Sequence, residues 1–480
     1  MKKILFAILF TTILFNCKNN KKDNQTAHAS DEATGLPESF EAKVDALVKQ
    51  YQDLEIFSGI VLVAEKGNPV YHKAFGLADR EENRPNELTT LFDIGSMNKT
   101  FTSIIIKQLI AEGKLNYDSK LTSFIQGFED PNVNKVDIDH LLNHESGFGD
   151  YHRDGYFDLP KSEKTISAIT DRAKEDELFF EPGEENEYSN TGYILLGAVI
   201  EKVTGKSYFD NVKERIIEPL NLENTYVENL DRFENQRAIG YLYSPLGVLE
   251  ENDNMQDIPN PDGGFLSTTE DVMKFYRSYY YDDVLLTEDI KSEDSYFQQI
   301  RELPKGKAPL SAGGFEGFNT AMYHVLSDDR SIIVFANMDE PIAEKLALGI
   351  LMITRGQEPD QPKLPAIQNV NKAFKEKGTE YIENNFDELT TNFHPEDPKD
   401  IILNDLGYAY IFGANDIDSA IKLFELNTKL FPDIANTWDS LGEAYYKKGD
   451  KKNALKNYKK ALEIRPDLPS AKEMVEKIKI

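Results

Sequence analysis

The pattern of apolar and polar positions changes character along the chain. Phe40–Tyr51 has the 3.6-residue period of an amphipathic helix. Ser58–Glu65 (SGIVLVAE) is a short continuous apolar run and Val70–Gly76 a second. The turn residues Lys66-Gly67-Asn68-Pro69 between them predict a β-hairpin. A matching block lies far downstream, where Asn319–Leu326 and Ser331–Asn337 (SIIVFAN) flank the polar turn Ser327–Arg330. Between the two blocks the pattern is mainly helical. Lys99–Glu112 is closed by Gly113 and Thr191–Thr204 by Gly205, glycine being the residue that accepts the left-handed conformation past a helix end. Strands at both ends with helices between them predict an α/β (α+β) architecture. One antiparallel sheet is built from both ends of the domain, flanked by helices, with a helical subdomain beside it.

Pro359, Pro362 and Pro365 then interrupt the pattern, and residues 357–366 read as a linker. From 367 to 480 the chain is helical throughout and repeats itself. Ala420, Phe424 and Pro432 recur as Ala454, Tyr458 and Pro466, and Leu406-Gly407 with Tyr410 recurs as Leu441-Gly442 with Tyr445. Small residues let paired helices approach and aromatics fill the groove. Trp438-x-x-Leu441-Gly442-x-x-Tyr445 resembles the tetratricopeptide repeat. Two repeats are few for stability, so the helix near Asn369–Asn384 is expected to pack as a partial third unit. Two roles stand open for these repeats: contact with a protein partner or a second copy, and a stabilising appendage.

Composition narrows the class. A length of 480 residues predicts two or three domains, and 40% hydrophobic with 11% aromatic residues supports packed cores. The formal charge of −29 repels phosphate backbones and acidic headgroups, so nucleic acid is excluded as an expected partner. At the N-terminus Lys2 and Lys3 precede the apolar run Ile4–Phe15, which is too short to span a bilayer. Cys17, the single cysteine, follows in Leu14-Phe15-Asn16-Cys17, which resembles the lipobox of bacterial lipoproteins, with Asn16 departing from the usual small residue. The expectation is a lipoprotein signal peptide over 1–17 with Cys17 as the lipidation site, and a polar tether over 18–36. The protein would then be exported and lipid-anchored at the bacterial cell envelope, periplasm-facing or on the cell surface, touching the membrane through the anchor alone. One cysteine also excludes an internal disulfide and a cysteine zinc cage.

Ser96-Met97-Asn98-Lys99 is the first candidate for chemistry. Leu91–Gly95 brings the chain to a helix start, which places Ser96 there and Lys99 one turn on, on the same face. Backbone N–H groups at a helix start favour a developing oxyanion, and a buried lysine of lowered pKa can take the hydroxyl proton. Tyr188-Ser189-Asn190 is the second. It follows the turn Glu181-Pro182-Gly183 and precedes a helix; Tyr188 can relay a proton with Lys99, and Asn190 can hold a substrate carbonyl.

Ser96-x-x-Lys99, Tyr188-x-Asn190 and the glycine-rich strand Leu310–Phe318, in this order and at these separations, resemble the class C β-lactamase, D-alanyl-D-alanine carboxypeptidase and serine esterase superfamily. Leu141–Gly147 and Asp262–Thr268 are similar to its His-x-Ser-Gly loop and its Gly-Gly-x-x-Ser-Thr segment. The likeness covers roughly 37–355 and predicts a β-lactamase/transpeptidase-like hydrolase domain over 37–356, with no cofactor and no metal. It implies acylation of Ser96 followed by hydrolysis, with Tyr188 and Lys99 sharing the base role. Asn190, Ser311, Gly313 and Gly314 would be substrate-binding, and the N–H groups of Ser96 and Gly314 would form the oxyanion hole. The departure is at Ser311, where the family carries Lys or His. A hydroxyl holds no positive charge, and a charge-assisted hydrogen bond is worth about 1.5–3 kcal/mol. The expected substrate is therefore an ester or a peptide or amide of the kind taken by esterases, D-aminopeptidases and D-Ala carboxypeptidases, with weak or absent β-lactamase activity. The alternative is an inactive sensor or partner-binding lipoprotein. His140-x-x-x-His144 lacks the glutamate of zinc hydrolases, since Leu141 stands there, and the chain has no Gly-x-Ser-x-Gly elbow.

Overall fold

The computed structural model describes residues 36–153, 155–252, 258–338, 341–391 and 398–479. Cys17 and the expected signal peptide and tether up to residue 35 lie outside the described residues. Two compact units emerge. One comprises residues up to Tyr241 together with Glu251–Asp360; the other comprises Leu242–Glu250 together with Gln361–Ile480.

In the first unit the two apolar blocks meet in one sheet. Strands β1 (Gly59–Glu65), β2 (Asn68–Phe75), β3 (Leu310–Phe315), β4 (Phe318–Val325) and β5 (Arg330–Ala336) lie in the order β2-β1-β5-β4-β3, every neighbour antiparallel. Register is fixed by burial. Ile60, Leu62 and Ala64 point to one face and Val61 and Val63 to the other, and all are shielded from solvent, which is why β1 reads as an unbroken apolar run rather than an alternating one. Helices α1 (Phe40–Asp53) and α5 (Ile342–Thr354) pack together over the sheet, and α2 (Lys99–Ala111), α3 (Asn190–Thr204) and α4 (Thr269–Tyr281) build the helical part beside it. Phe101 of α2 stacks on Phe275 of α4 with ring centroids 3.8 Å apart. Gly205 closes α3 with φ +70°, the conformation its position predicts.

The glycine-rich strand is shorter than its sequence reading. It ends at Phe315, and the chain turns back through Glu316-Gly317, where Gly317 has φ +82°, so Phe318 already belongs to β4. The pair Phe315–Phe318 closes this two-residue turn. Gly314 and Asn319 are therefore a pair whose backbone groups point away from each other, and the N–H of Gly314 faces the open edge of the sheet.

The second unit is helical. Helices α6 (Ala366–Leu389, broken into two by a kink at Gly378, φ +79°), α7 (Asp400–Phe412), α8 (Ile417–Leu430), α9 (Ala435–Lys447), α10 (Lys451–Ile464) and α11 (Pro469–Lys479) pack each against the next in sequence. The repeated small residues sit where rings press: a Cβ on Gly407 would fall 2.6 Å from the Phe424 ring, and one on Gly442 would fall 3.0 Å from the Tyr458 ring. Val370, Ala373, Ile382 and Phe386 of α6 join the core of α7 and α8, as expected of a partial third unit.

Candidate active site

Ser96 lies on the 3-10 turn Gly95–Asn98 that leads into α2, rather than on the α-helix itself. The turn is clamped from three sides. The N–H of Ile94 donates to Phe265 O at 3.0 Å, that of Gly95 to Asp93 Oδ1 at 2.8 Å, and the Thr320 hydroxyl to Ile94 O at 3.1 Å. Gly95 has φ +51°, which brings Ser96 to the edge strand. Strand β3 presses so closely that a Cβ on Gly313 would fall 2.1 Å from Ile94 O and 2.8 Å from Ser96 N, and one on Gly95 would fall 2.6 Å from Gly314 N. The two glycines thus put a strand-edge N–H beside the backbone of Ser96, the arrangement an oxyanion hole needs.

The four polar side chains read from the sequence come together. Ser96 Oγ is 2.6 Å from Tyr188 Oη and 3.1 Å from Lys99 Nζ. Lys99 also donates to Asn190 Oδ1 at 2.6 Å and to the Asp262 carbonyl at 2.8 Å. Ser189 caps α3 by accepting from Gly192 N–H at 3.0 Å, so Asn190 is the first residue of the helix and its side chain is free to turn toward Lys99.

Burial sets the protonation states. Lys99 is 7% exposed, and desolvation lowers its pKa to about 8, against the upward pull of Asp262 and Asp150. Burial pushes Tyr188 well above the ordinary tyrosine value, and its hydrogen bond to Ser96 pulls the other way. The Tyr188 ring lies 4.9 Å from Lys99 Nζ and 4.6 Å from the ring of His144. His144 Nδ1 accepts from the Ser189 N–H at 3.1 Å; burial, then the nearby Lys99, drop its pKa to about 3, so the ring is neutral. Two groups of opposite tendency therefore flank one hydroxyl: an amine poised to lose a proton and a phenol poised to keep one.

Ser311 lies on β3, on the same face as Gly313, with its hydroxyl turned toward the phenols of Tyr276 and Tyr280 rather than carrying a charge toward Tyr188. The zinc alternative finds other employment for its histidine. His140 and Asp137 form a reciprocal cap at the start of the helix Ile138–Leu142. Among the described residues no group of three His, Cys, Asp or Glu side chains is arranged to hold a metal ion. Sequence reasoning gave no role to Asp150, Tyr151 or Asp262, all of which reach the surroundings of Lys99. Asn190 Nδ2 donates to Asp150 Oδ2 at 2.8 Å, and Tyr151 Oη to Asp262 Oδ2 at 2.9 Å.

Known proteins share this arrangement of sequence. The beta-lactamase family model matches residues 44–352 and the tetratricopeptide repeat model residues 435–468. Penicillin-binding protein 4* of Bacillus subtilis is 32% identical over 347 residues, 65% of this chain and 75% of its own length. Teichoic acid D-alanine hydrolase of Staphylococcus aureus is 28% identical over 227 residues, 47% of this chain and 55% of its own length. An octameric penicillin-binding protein homologue from Pyrococcus abyssi superimposes with a TM-score of 0.59 at 25% identity, over 70% of this chain and 81% of that one. This chain belongs to the beta-lactamase family of serine hydrolases and carries a tetratricopeptide repeat near its C-terminus.

Proposed function

We propose that the protein hydrolyses esters or amides of small, non-anionic acyl groups through an acyl-enzyme on Ser96, with Lys99 as base and Tyr188 as acid. The observation that carries this reading is the placement of Ser96 Oγ between Lys99 Nζ and Tyr188 Oη, at 3.1 and 2.6 Å. As an ammonium, Lys99 spends its three protons on Ser96, Asn190 Oδ1 and the Asp262 carbonyl. The last two are pure acceptors. Loss of one proton therefore leaves both of those bonds intact and turns the amine lone pair toward Ser96 Oγ. The Ser96 proton then moves to Lys99 as Oγ bonds the substrate carbonyl carbon. The oxyanion is met by the N–H groups of Ser96 and Gly314, each worth about 3–4 kcal/mol. Tyr188 protonates the departing alcohol or amine. In the second half a water gives its proton to the Tyr188 phenolate and attacks the acyl carbon, and Lys99 returns its proton to Ser96 Oγ. Asn190 is placed to orient Lys99 and to hold the substrate.

The lack of a cation at position 311 favours substrates without a carboxylate at that end. The D-alanine of teichoic acid, named by the Staphylococcus aureus relative, belongs to the substrate class proposed, and the repeats fit a protein partner. Export and anchoring through Cys17 belong to the same proposal, and the intact mass of protein recovered from membranes tests them. Fluorophosphonate or fluorescent penicillin is expected to label the wild type and not Ser96→Ala. Turnover is expected on p-nitrophenyl esters and D-amino-acid esters or amides over a chromogenic cephalosporin. No labelling and no turnover would leave a binding protein instead.

A further inference from the structure

Behind Lys99 lies a carboxylate that the chemistry above does not use. Asp262 is 4% exposed; its Oδ2 accepts from Tyr151 Oη at 2.9 Å, and its Oδ1 has no hydrogen-bond partner. Its main chain is pinned so that it cannot relax toward solvent. Asn98 Nδ2 donates to Asn260 O at 2.9 Å, the Thr102 hydroxyl donates to Pro261 O at 2.6 Å, and the Asp262 carbonyl takes the hydrogen bond from Lys99 at 2.8 Å. A second carboxylate, Asp150, sits one side chain further out. It reaches Lys99 through Asn190, with 2.8 Å from Asn190 Nδ2 to Asp150 Oδ2 and 2.6 Å from Lys99 to Asn190 Oδ1, and it pairs with His152 at 3.2 Å.

We infer that Asp262, supported by Tyr151 and Asp150, is a positioning residue that fixes the charge state of Lys99 and thereby the pH at which Ser96 becomes reactive. A carboxylate buried this deeply is costly unless a positive charge lies close enough to balance it. Lys99 is held on the main-chain carbonyl of the same residue, and the field of the carboxylate favours its charged form. Two effects oppose each other at Lys99. Desolvation drives the proton off; Asp262 and then Asp150 hold it on, and the result stands at about 8. The other titratable groups around the amine come from two segments: His144 and His152 from the loop after the helix Ile138–Leu142, and Tyr188 and Tyr193 just before and within the first turn of α3. His144 is held neutral and both phenols are driven upward by burial, so over the working range they add no charge of their own. The two carboxylates, with His152 beside Asp150, are left as the groups that set the value. On this view the enzyme trades nucleophilicity at neutral pH for a firmly donated network, with Ser96 active in mildly alkaline surroundings.

The inference rests on the proposed role of Lys99 as base, and one experiment separates the two. The second-order rate of Ser96 labelling by a fluorophosphonate is measured from pH 5.5 to 10 on the full-length wild type, Asp262→Asn and Tyr151→Phe. The wild type is expected to show an acid limb, its rate rising through an apparent pKa near 8 as the amine loses its proton. Asp262→Asn keeps the shape of the side chain and removes its charge. Its limb is expected to move down by about one unit or more, the effect of an opposite charge removed from close range, leaving it faster than wild type at pH 6.5 and equal above pH 9. Tyr151→Phe, which keeps the carboxylate and removes its donor, is expected to move the limb less. Asp262→Asn with a limb unmoved, in protein that still labels at high pH, overturns the inference. Absence of a limb near 8 in the wild type overturns the role of Lys99 instead. A variant that labels at no pH is compared with Asp262→Glu, whose wild-type-like limb would support the charge and whose silence would show a purely packing role.

Discussion

Gly313→Ala tests the claim that backbone contact between strand β3 and the Ser96 turn makes the site. A Cβ at position 313 would stand 2.1 Å from Ile94 O and 2.8 Å from Ser96 N, while the tightest ordinary contacts of a Cβ begin near 3.4 Å. Strand and turn must therefore part by about 1 Å. The turn cannot follow the strand freely, because Ile94 and Gly95 are tied to Phe265 and Asp93 by hydrogen bonds of 3.0 and 2.8 Å. Such a displacement separates the Ser96 and Gly314 N–H groups, and misplacement by about 1 Å costs about 10²-fold in rate, comparable to losing one oxyanion donor. Overpacking adds about 1–3 kcal/mol of destabilisation. The assay is the second-order labelling rate of Ser96, read beside the thermal midpoint. A fall of about 10²-fold is expected at a temperature where the variant is folded, with the acid limb of the pH profile unmoved because Lys99 keeps its neighbours. An alanine variant that labels within about threefold of wild type would refute the close approach and with it the placement of the oxyanion hole.

Three further outcomes follow from the same structure. Ser311→Lys restores a cation on the face of β3 that carries Gly313, and acylation by a fluorescent penicillin is expected to rise about ten- to a hundredfold, with esters of uncharged acids unchanged. The Glu344 carboxyl, buried at the start of α5, has its pKa pushed up to about 7 from an ordinary 4.5, chiefly by desolvation. Its contribution to stability is complete below pH 4.5 and lost as pH rises through 7. Glu344→Gln is therefore expected to gain up to about 3 kcal/mol on wild type between pH 5 and 8 in denaturant titrations, and a pH-independent difference would contradict this. Lys107 and Asp294 form a buried pair at 2.5 Å, each side chain about 5% exposed. Lys107→Met is expected to cost about 3–5 kcal/mol by stranding Asp294, and adding Asp294→Asn to recover most of it.

Why some of the site was legible and some not follows from how each residue is held. Ser96 and Lys99 are neighbours along one turn, so their spacing alone placed them on one face, and the surrounding 3-10 geometry did not disturb that. Tyr188 and Asn190 were legible because a helix start must follow a turn, here the one through Glu181-Pro182-Gly183. Asp262 sits 163 positions from Lys99 in sequence, and meets it only because the loop Asn260–Gly263 is threaded beneath α2 by its own main-chain carbonyls. No local pattern encodes that. Its neighbours Gly263 and Gly264 read as part of the family-like Gly-Gly-x-x-Ser-Thr segment, which gives the carboxylate beside them no role. His144 was visible as a landmark without a task, because stacking on Tyr188 and accepting from Ser189 are long-range consequences of packing.

The same distinction explains the division of the chain. A linear boundary at the prolines near 360 was readable from composition, yet nine residues from the middle of the hydrolase sequence, Leu242–Glu250, belong to the repeat unit. Ser244-Pro245-Leu246-Gly247 has the chemistry of a plain surface turn. In the folded unit Leu246 packs among Phe374 and Tyr410, its carbonyl accepts from Lys375 Nζ at 3.2 Å, and its methyl would stand 3.2 Å from a Cβ on Gly413. The base of that hairpin stays with the hydrolase unit. Tyr241 N–H donates to Gly317 O at 3.3 Å, and Gly317 is the turn that ends the glycine strand carrying Gly313 and Gly314. The repeat unit is therefore assembled from two separate stretches of the chain, and one of them is taken from inside the region that matches the beta-lactamase family model, where no break in composition marks it.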